Sequence, residues 1–202
     1  RPAAAARVAG EVVAQLRPGD EVVVVDQSDP GTHQALARAL PADPRVRLVH
    51  RHERGLPGAR NAGIAASTGA VVLFLDDDVH LLPGCLAAHV AAYEDPRVGG
   101  VGGRIAERSL RPNDRAGTNR LGPGGRIRTN LWGTRGGGLR TLKGAHMSLR
   151  RAALDQVGGF DPGYAGTALL EDADLSARVR AAGWALRFEP RAELVHLSAP
   201  TG

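Results

Sequence analysis

The sequence predicts an α/β fold built on an open central sheet, and three observations carry that expectation. Two apolar runs without alternation, Val22–Val25 and Val71–Leu75, read as strands buried on both faces. The segments between the apolar runs carry helical spacing or small-residue composition. Both buried runs end abruptly in polar, acidic residues, Asp26-Gln27-Ser28-Asp29 and Asp76-Asp77-Asp78. Ligands of open α/β sheets bind at that carboxyl edge.

Each element follows in order. Residues 3–17 form an amphipathic helix with Val8, Val12 and Leu16 at four-residue intervals, stopped by Pro18-Gly19-Asp20. Residues 21–25 are a strand and 32–40 a short helix closed by Pro41. Residues 45–50 alternate Arg with Val, Leu and His, as a half-exposed strand does. Glycines bracket a small-residue helix at 59–67, with Arg60 and Asn61 near its start, where backbone N–H groups and a guanidinium can meet an anion. Pro83 opens a helix running to Tyr93. Residues 98–105 are a Gly-rich strand, which implies close approach by a ligand or another backbone. Residues 106–138 take no assignment; a segment that long is expected to be a functional loop, here a lid over bound ligand. Residues 141–149 read as a strand, 150–157 as a helix, 169–184 as a helix, and 185–190 and 192–197 as two late strands.

The composition narrows the function. The 202 residues fit one domain, and no apolar run approaches the ~20 residues of a membrane span. The single cysteine, Cys85, excludes an internal disulfide and suits the cytoplasm. The net charge is +5, with Arg distributed along the whole chain rather than gathered in a patch. Aromatic residues are only 3% of the chain, too few for base-stacking platforms, so a nucleic-acid partner is not expected.

The acidic cluster carries the chemistry. Three adjacent carboxylates repel one another and resist burial unless a cation compensates them. Hard oxygen ligands at a strand's carboxyl end suit Mg²⁺ or Mn²⁺, with open positions for phosphate oxygens. A solvated acidic turn is the competing explanation for the cluster taken alone. Glu171, Asp172 and Asp174 form a second acidic group at the start of the late helix, where complementing the helix dipole is the simplest reading.

Five segments occur together in one order: VVVVDQSD (22–29), ARNAGIAASTGAVVLFLDDDV (59–79), GAHMSLRRAALDQVGGFD (144–161), EDADLSARVRAAGW (171–184) and LVH (194–196). In this the chain resembles a family 2 glycosyltransferase of the D-x-D type. The resemblance implies a GT-A, Rossmann-like fold with a mixed, mostly parallel central sheet flanked by helices. It also implies a nucleotide-sugar half (1–103), an acceptor half (104–202), and a first strand lying upstream of Arg1. By this resemblance Asp26, Gln27, Arg60, Asn61, Asp76 and Asp77 face the nucleotide sugar. Asp76, Asp78 and the late His196 hold Mn²⁺ or Mg²⁺. Gly144, Ala145, His146 and Trp184 line the acceptor region, Asp172 is the catalytic base, and Glu171 is its orienter or an acceptor ligand.

The implied reaction is inverting transfer from a nucleotide-diphosphate sugar to a saccharide, lipid-carrier or small-molecule acceptor, by a cytoplasmic protein able to dock peripherally on the inner membrane face. A degenerate nucleotide-sugar-binding module and a nucleotidyltransferase are the alternatives. The presence of Asp76, Asp78 and Asp172 together weighs against the first, and the E-D-x-D-L segment against the second.

Overall fold

A computed structural model describes residues 1–106, 112–122, 126–164 and 170–197. The chain opens with α1 (Pro2–Val13), β1 (Val22–Asp26), α2 (Pro30–Ala39), β2 (Val46–His50), α3 (Leu56–Ala66) and β3 (Val71–Leu75). Next come β4 (Val79–Leu81), α4 (Cys85–Ala91) with one further 3₁₀ turn, and β5 (Val98–Ala106). Five short strands follow: β6 (Asn113–Ala116), β7 (Thr118–Leu121), β8 (Ile127–Asn130), β9 (Gly133–Arg135) and β10 (Gly137–Gly138). The chain finishes with β11 (His146–Arg150), α5 (Arg151–Val157), α6 (Glu171–Ala181) and β12 (Ala185–His196).

The expected mixed sheet with flanking helices is present. Its six strands run β10-β12-β5-β11-β3, with β4 on the far part of β12. β5 and β12 pair in parallel, whereas β11 is antiparallel to both β3 and β5. β1 and β2 form a separate parallel ladder, from Val22 opposite Val46 to Asp26 opposite His50. The core between sheet and helices holds Met147, Leu149, Leu154, Phe160, Leu175, Phe188 and Leu194, all essentially inaccessible.

Local chemistry sets the element ends. Asp29 caps α2, its carboxylate accepting from the backbone N–H groups of Gly31 and Thr32, and Pro30 occupies the first turn. Half of the polar loop after β1 is therefore helix cap. α3 starts at Leu56, three residues before the expected start, because Pro57 is well suited to a first turn.

Other expectations are corrected. β4 was not foreseen, since three residues carry no periodicity; it is defined by its partner β12. The two late strands are one strand, with Pro190 inside a register break between Glu189 and Glu193 where it costs no ladder bond. The strand expected at 141–149 begins only at His146. The unassigned 106–138 segment contains five short strands; residues 107–111, 123–125 and the expected helix position 169 lie outside the described residues. The glycines of β5 do admit a close approach, made by the protein's own side chains. Leu142 and Leu186 lie where a Cβ on Gly100 would go, and the His146 ring where one on Gly103 would go.

Beneath β11 lies a buried polar chain. His146 Nδ1 is 3.2 Å from the Arg104 carbonyl, which can only accept, so Nδ1 carries the proton and Nε2 is an acceptor. His89 Nε2, 2.9 Å away, must then donate to it, leaving His89 Nδ1 to accept from Ser148 Oγ at 2.9 Å. Tyr93 completes the chain by donating to Ser148 Oγ, also at 2.9 Å. The Cys85 thiol, 3.4 Å from His146 Nε2, lies at the same acceptor. All four ring nitrogens have a partner with both imidazoles neutral.

Burial pushes the His89 imidazole down to about 3. Burial, reinforced by His89, holds that of His146 well below its usual range. Unfolding releases two imidazoles that bind protons from about pH 6.5 downward, so the unfolded state takes up more protons and stability falls with pH. The thermal midpoint is expected to drop steadily between about pH 6.5 and pH 4, with the drop flattened in His89→Leu/His146→Asn. An equally steep drop in that double variant would refute the neutral assignment.

Candidate active site

The carboxyl end of β3 delivers Asp76, and the turn after it delivers Asp77 and Asp78. His196 ends β12 beside β4, opposite Val79, which brings it to the same edge. Ligand atoms of Asp76, Asp78 and His196 all lie within 4.8 Å of one another. His196 Nε2 is 3.4 Å from Asp78 Oδ1. Asp77 turns outward to Arg1 at 3.3 Å. Partial desolvation raises the affinity of Asp76 for its proton, opposed by Arg60 and reinforced by Asp78. Two carboxylates and an imidazole converging at a solvent-reached edge form a donor set that fits a divalent cation such as Mn²⁺.

Across the cleft, the N-terminus of α6 presents Glu171 and Asp172. The residue before them, Leu170, has a φ of 73°, the one non-glycine residue with positive φ among the described residues. Glu171 is 6% exposed and receives Arg60 Nη1 at 2.6 Å. Arg60 also lies over the Phe160 ring at 5.1 Å, and its Nη2 is 4.0 Å from Asp76. Asp172 Oδ2 accepts the Gly144 backbone N–H at 2.9 Å. One turn later Ser176 Oγ donates to the Asp172 carbonyl and accepts from the Leu142 N–H. Asn119 Nδ2 donates to the Leu142 carbonyl. The loop before β11 is thereby clasped to α6 and β7, and Asp172 is held facing the cleft.

These elements enclose a cleft of about 510 Å³ lined by Arg60, Asp76, Gly144, Ala145, Glu171, Asp172 and His196. Leu56, in the turn expected to be pinned near the nucleotide, also lines it, and sequence reasoning missed Lys143, Asn119, Trp132, Leu121 and Ile127 there. Lys143 had a signal, as the single Lys in a chain of arginines. The others come from the stretch that sequence patterns left unassigned.

Several anticipated residues lie elsewhere. His146 is inaccessible and turned into the buried chain beneath β11, on the same face of the strand as Ser148 two residues on. Trp184 packs over Gly99 and donates to Gln156, away from the cleft. Asn61 bonds both the N–H and the carbonyl of Phe160, tying α3 to the turn after α5. Gln27 bonds the Gly55 N–H and the Glu53 and Gly55 carbonyls, pinning the turn before α3. Asp26 accepts from Ser28 and from His33 Nδ1 at 2.8 Å, and His33 stacks on His50 at 4.1 Å between ring centres. Burial alone would raise the Asp26 carboxyl, but the Ser28 and His33 hydrogen bonds hold it below its ordinary value.

The chain is thus a mixed α/β protein whose cleft sets two carboxylates and an imidazole at a strand's carboxyl edge across from a further carboxylate. Residues 3–158 match the model of glycosyl transferase family 2, and the chain belongs to that family. It is 34% identical over 154 residues to a pre-mycofactocin glycosyltransferase of Mycobacterium tuberculosis, a match covering 74% of this chain and 31% of that protein. A shorter match, 44% over 55 residues, covers 27% of this chain and 17% of the N-acetylglucosaminyl-diphospho-decaprenol L-rhamnosyltransferase of the same organism. The chain thus spans about a third or less of the length of these relatives. Among solved structures, the mannosyltransferase PcManGT from Pyrobaculum calidifontis, in complex with GDP-Man and Mn²⁺, aligns with a TM-score of 0.73 at 23% identity, covering 100% of this chain and 55% of that one. GalNAc-T7 with UDP, GalNAc and Mn²⁺ aligns with the same score at 17% identity, over 92% of this chain and 39% of that one. The fold is GT-A.

The Arg60–Glu171 pair is buried at both ends, so removing one partner strands the other charge. Arg60→Ala is expected to lower unfolding free energy by about 3–5 kcal/mol in urea titration, and Arg60→Ala/Glu171→Ala by less than the sum of the single changes. Additive losses would mean the pair is not coupled.

Proposed function

We propose that this chain is the core of an inverting, metal-dependent glycosyltransferase that moves a sugar from a nucleotide-diphosphate sugar to an acceptor hydroxyl. The observation that carries this reading is the facing of two groups across one cleft. On one wall stand Asp76, Asp78 and His196; on the other stands Asp172, held by the Gly144 N–H. The presence of both a nucleotide or nucleotide sugar and Mn²⁺ in the similar solved structures supports it.

Asp76, Asp78 and His196 would hold Mn²⁺ or Mg²⁺. The ion supplies Lewis-acid stabilisation of the diphosphate leaving group and a template for its oxygens. Asp172 accepts the proton of the acceptor hydroxyl while that oxygen forms its bond to the anomeric carbon. The bond from the anomeric carbon to the diphosphate oxygen breaks on the opposite face, inverting the centre. One carboxylate oxygen of Asp172 is occupied by Gly144, so the other is left to take the proton; among the described residues nothing bonds it. Glu171, held by Arg60, orients the first turn of α6 rather than reaching the acceptor. Lys143, exposed on the cleft wall, adds positive charge where phosphates would lie. Asp26 at the end of β1, with the His33–His50 stack, is assigned to the base and ribose. The buried Cys85 is compatible with action on the cytoplasmic side.

Asp172→Asn is expected to lower kcat by about 10²–10⁴-fold while leaving donor binding intact. Asp78→Ala is expected to abolish the Mn²⁺-dependent thermal shift given by the donor. In the parent chain that shift corresponds to about 2.7 kcal/mol at a hundred times Kd. A panel of UDP-, GDP- and dTDP-sugars, each with and without Mn²⁺, identifies the donor. Failure of every sugar nucleotide to shift the midpoint, in the full-length protein, would favour a non-catalytic module instead.

A further inference from the structure

The region between Arg115 and Leu154 has a charge distribution unlike the rest of the chain. It carries nine of the 26 Lys and Arg residues and none of the 21 Asp and Glu residues. The basic balance is therefore polarised, which corrects the expectation of an even distribution. Arg150 and Arg151 are spent on backbone carbonyls in the interior. Arg120, Arg126 and Arg128, on the β7–β8 hairpin, are exposed, and among the described residues no carboxylate pairs with them. Arg120 and Arg128 stand directly opposite each other across the hairpin. Like charges so placed repel, so the hairpin gains from an anionic surface.

The same hairpin displays apolar side chains. Leu121 and Ile127 are cross-strand partners, 43% and 54% exposed. Only four large hydrophobic residues among those described are exposed: Leu56, Leu121, Ile127 and Leu197. Three of them line the active-site cleft, and Leu197 follows His196 at its edge. Exposed apolar groups that converge on one rim mark an interaction surface. Alternation along the strands puts Leu121 and Ile127 on the cleft side and Arg120 and Arg128 on the other. An apolar pair flanked by unpaired arginines suits the boundary between lipid phosphates and acyl chains. Nucleic acid would answer the arginines and leave the apolar rim unexplained.

We propose that the β7–β8 hairpin seats this chain on an anionic lipid bilayer, with Leu121 and Ile127 in the interface and Arg120, Arg126 and Arg128 on the phosphates. The cleft then opens onto the lipid surface and draws its acceptor hydroxyl from a lipid-linked molecule. The acceptor part rests on the glycosyltransferase reading; the bilayer part does not.

The test is sedimentation of the full chain with phosphatidylglycerol–phosphatidylcholine vesicles and with pure phosphatidylcholine vesicles, with no donor present. Binding is expected to the anionic vesicles, to weaken with salt, and to fall about tenfold or more in Arg120→Gln/Arg126→Gln/Arg128→Gln. Leu121→Ser/Ile127→Ser is expected to weaken it comparably, with an unchanged thermal midpoint showing that the hairpin variants fold. Equal binding to both vesicle types, or anionic binding indifferent to either variant, overturns the proposal. So does tighter retention on RNA that Leu121→Ser/Ile127→Ser leaves unaltered. Vesicle binding without any donor-induced thermal shift would overturn the transferase reading alone.

Discussion

The ion pair between Arg60 and Glu171 organises this molecule. It joins residues 111 positions apart, from α3 to the N-terminus of α6. Both side chains are buried, so neither charge has water to fall back on. The guanidinium is also confined by the Phe160 ring below it and by Gly144 beside it, where any Cβ would collide with its tip. The consequence for the site is geometric. Arg60 places the start of α6 against the end of β3, and so sets Asp172 across from Asp76. A buried ion pair often adds little net stability compared with an apolar replacement. Its worth here is in fixing the position of two acidic elements that would otherwise repel.

That arrangement explains why so few of the conspicuous polar residues are free for chemistry. Gln27, Asn61 and Glu171 are committed to holding loops and helices together. The groups left facing the cleft include Asp172, with one hydrogen bond, and Asp76, with a distant ion pair, and Lys143 lines the same cleft. Around them the scaffold is backbone-rich. Ser176 bonds the Leu142 N–H and Asn119 bonds the Leu142 carbonyl, so the loop carrying Gly144 has little freedom to drift. Positioning of the proposed base thus depends on groups that never touch substrate, as preorganised sites require.

The first half of the fold was legible in the sequence because its signals are local. Val22–Val25 and Val71–Leu75 are apolar runs bounded by turn residues, although apart from Phe74 both are half-buried rather than buried on both faces as expected, and Val8 and Val12 mark the inner face of α1. The stretch beyond β5 was opaque for a physical reason. β6 to β10 are two to four residues long, too short for periodicity, and they exist through pairings such as Thr118 with Asn130. The acidic cluster was legible as a group, since charge and strand end coincide. Which side chains share the cleft was not. His146 and Ala145 are neighbours in sequence, but Ala145 lines the cleft from the turn before β11 while His146 opens a strand whose start was placed five residues too early and is turned into the interior.

The division of the chain into a legible and an opaque half has a functional counterpart. Sugar nucleotides share a diphosphate, so the donor side can be met by a small set of charges at one sheet edge. Acceptors share only a hydroxyl. In the proposed reading the acceptor meets the wall that the short strands build, the kind of irregular connection that commonly carries binding residues. In this chain that wall has Trp132, Leu121 and Ile127 inside and unpaired arginines outside. Neither feature stabilises the fold: the leucine and isoleucine are exposed, and the facing arginines repel. Residues that cost stability at the mouth of a cleft are most simply explained by what the cleft must meet. In the proposed reading the hairpin is the element that meets the acceptor, while the Arg60–Glu171 clasp fixes the groups proposed to do the chemistry from the other side of the cleft.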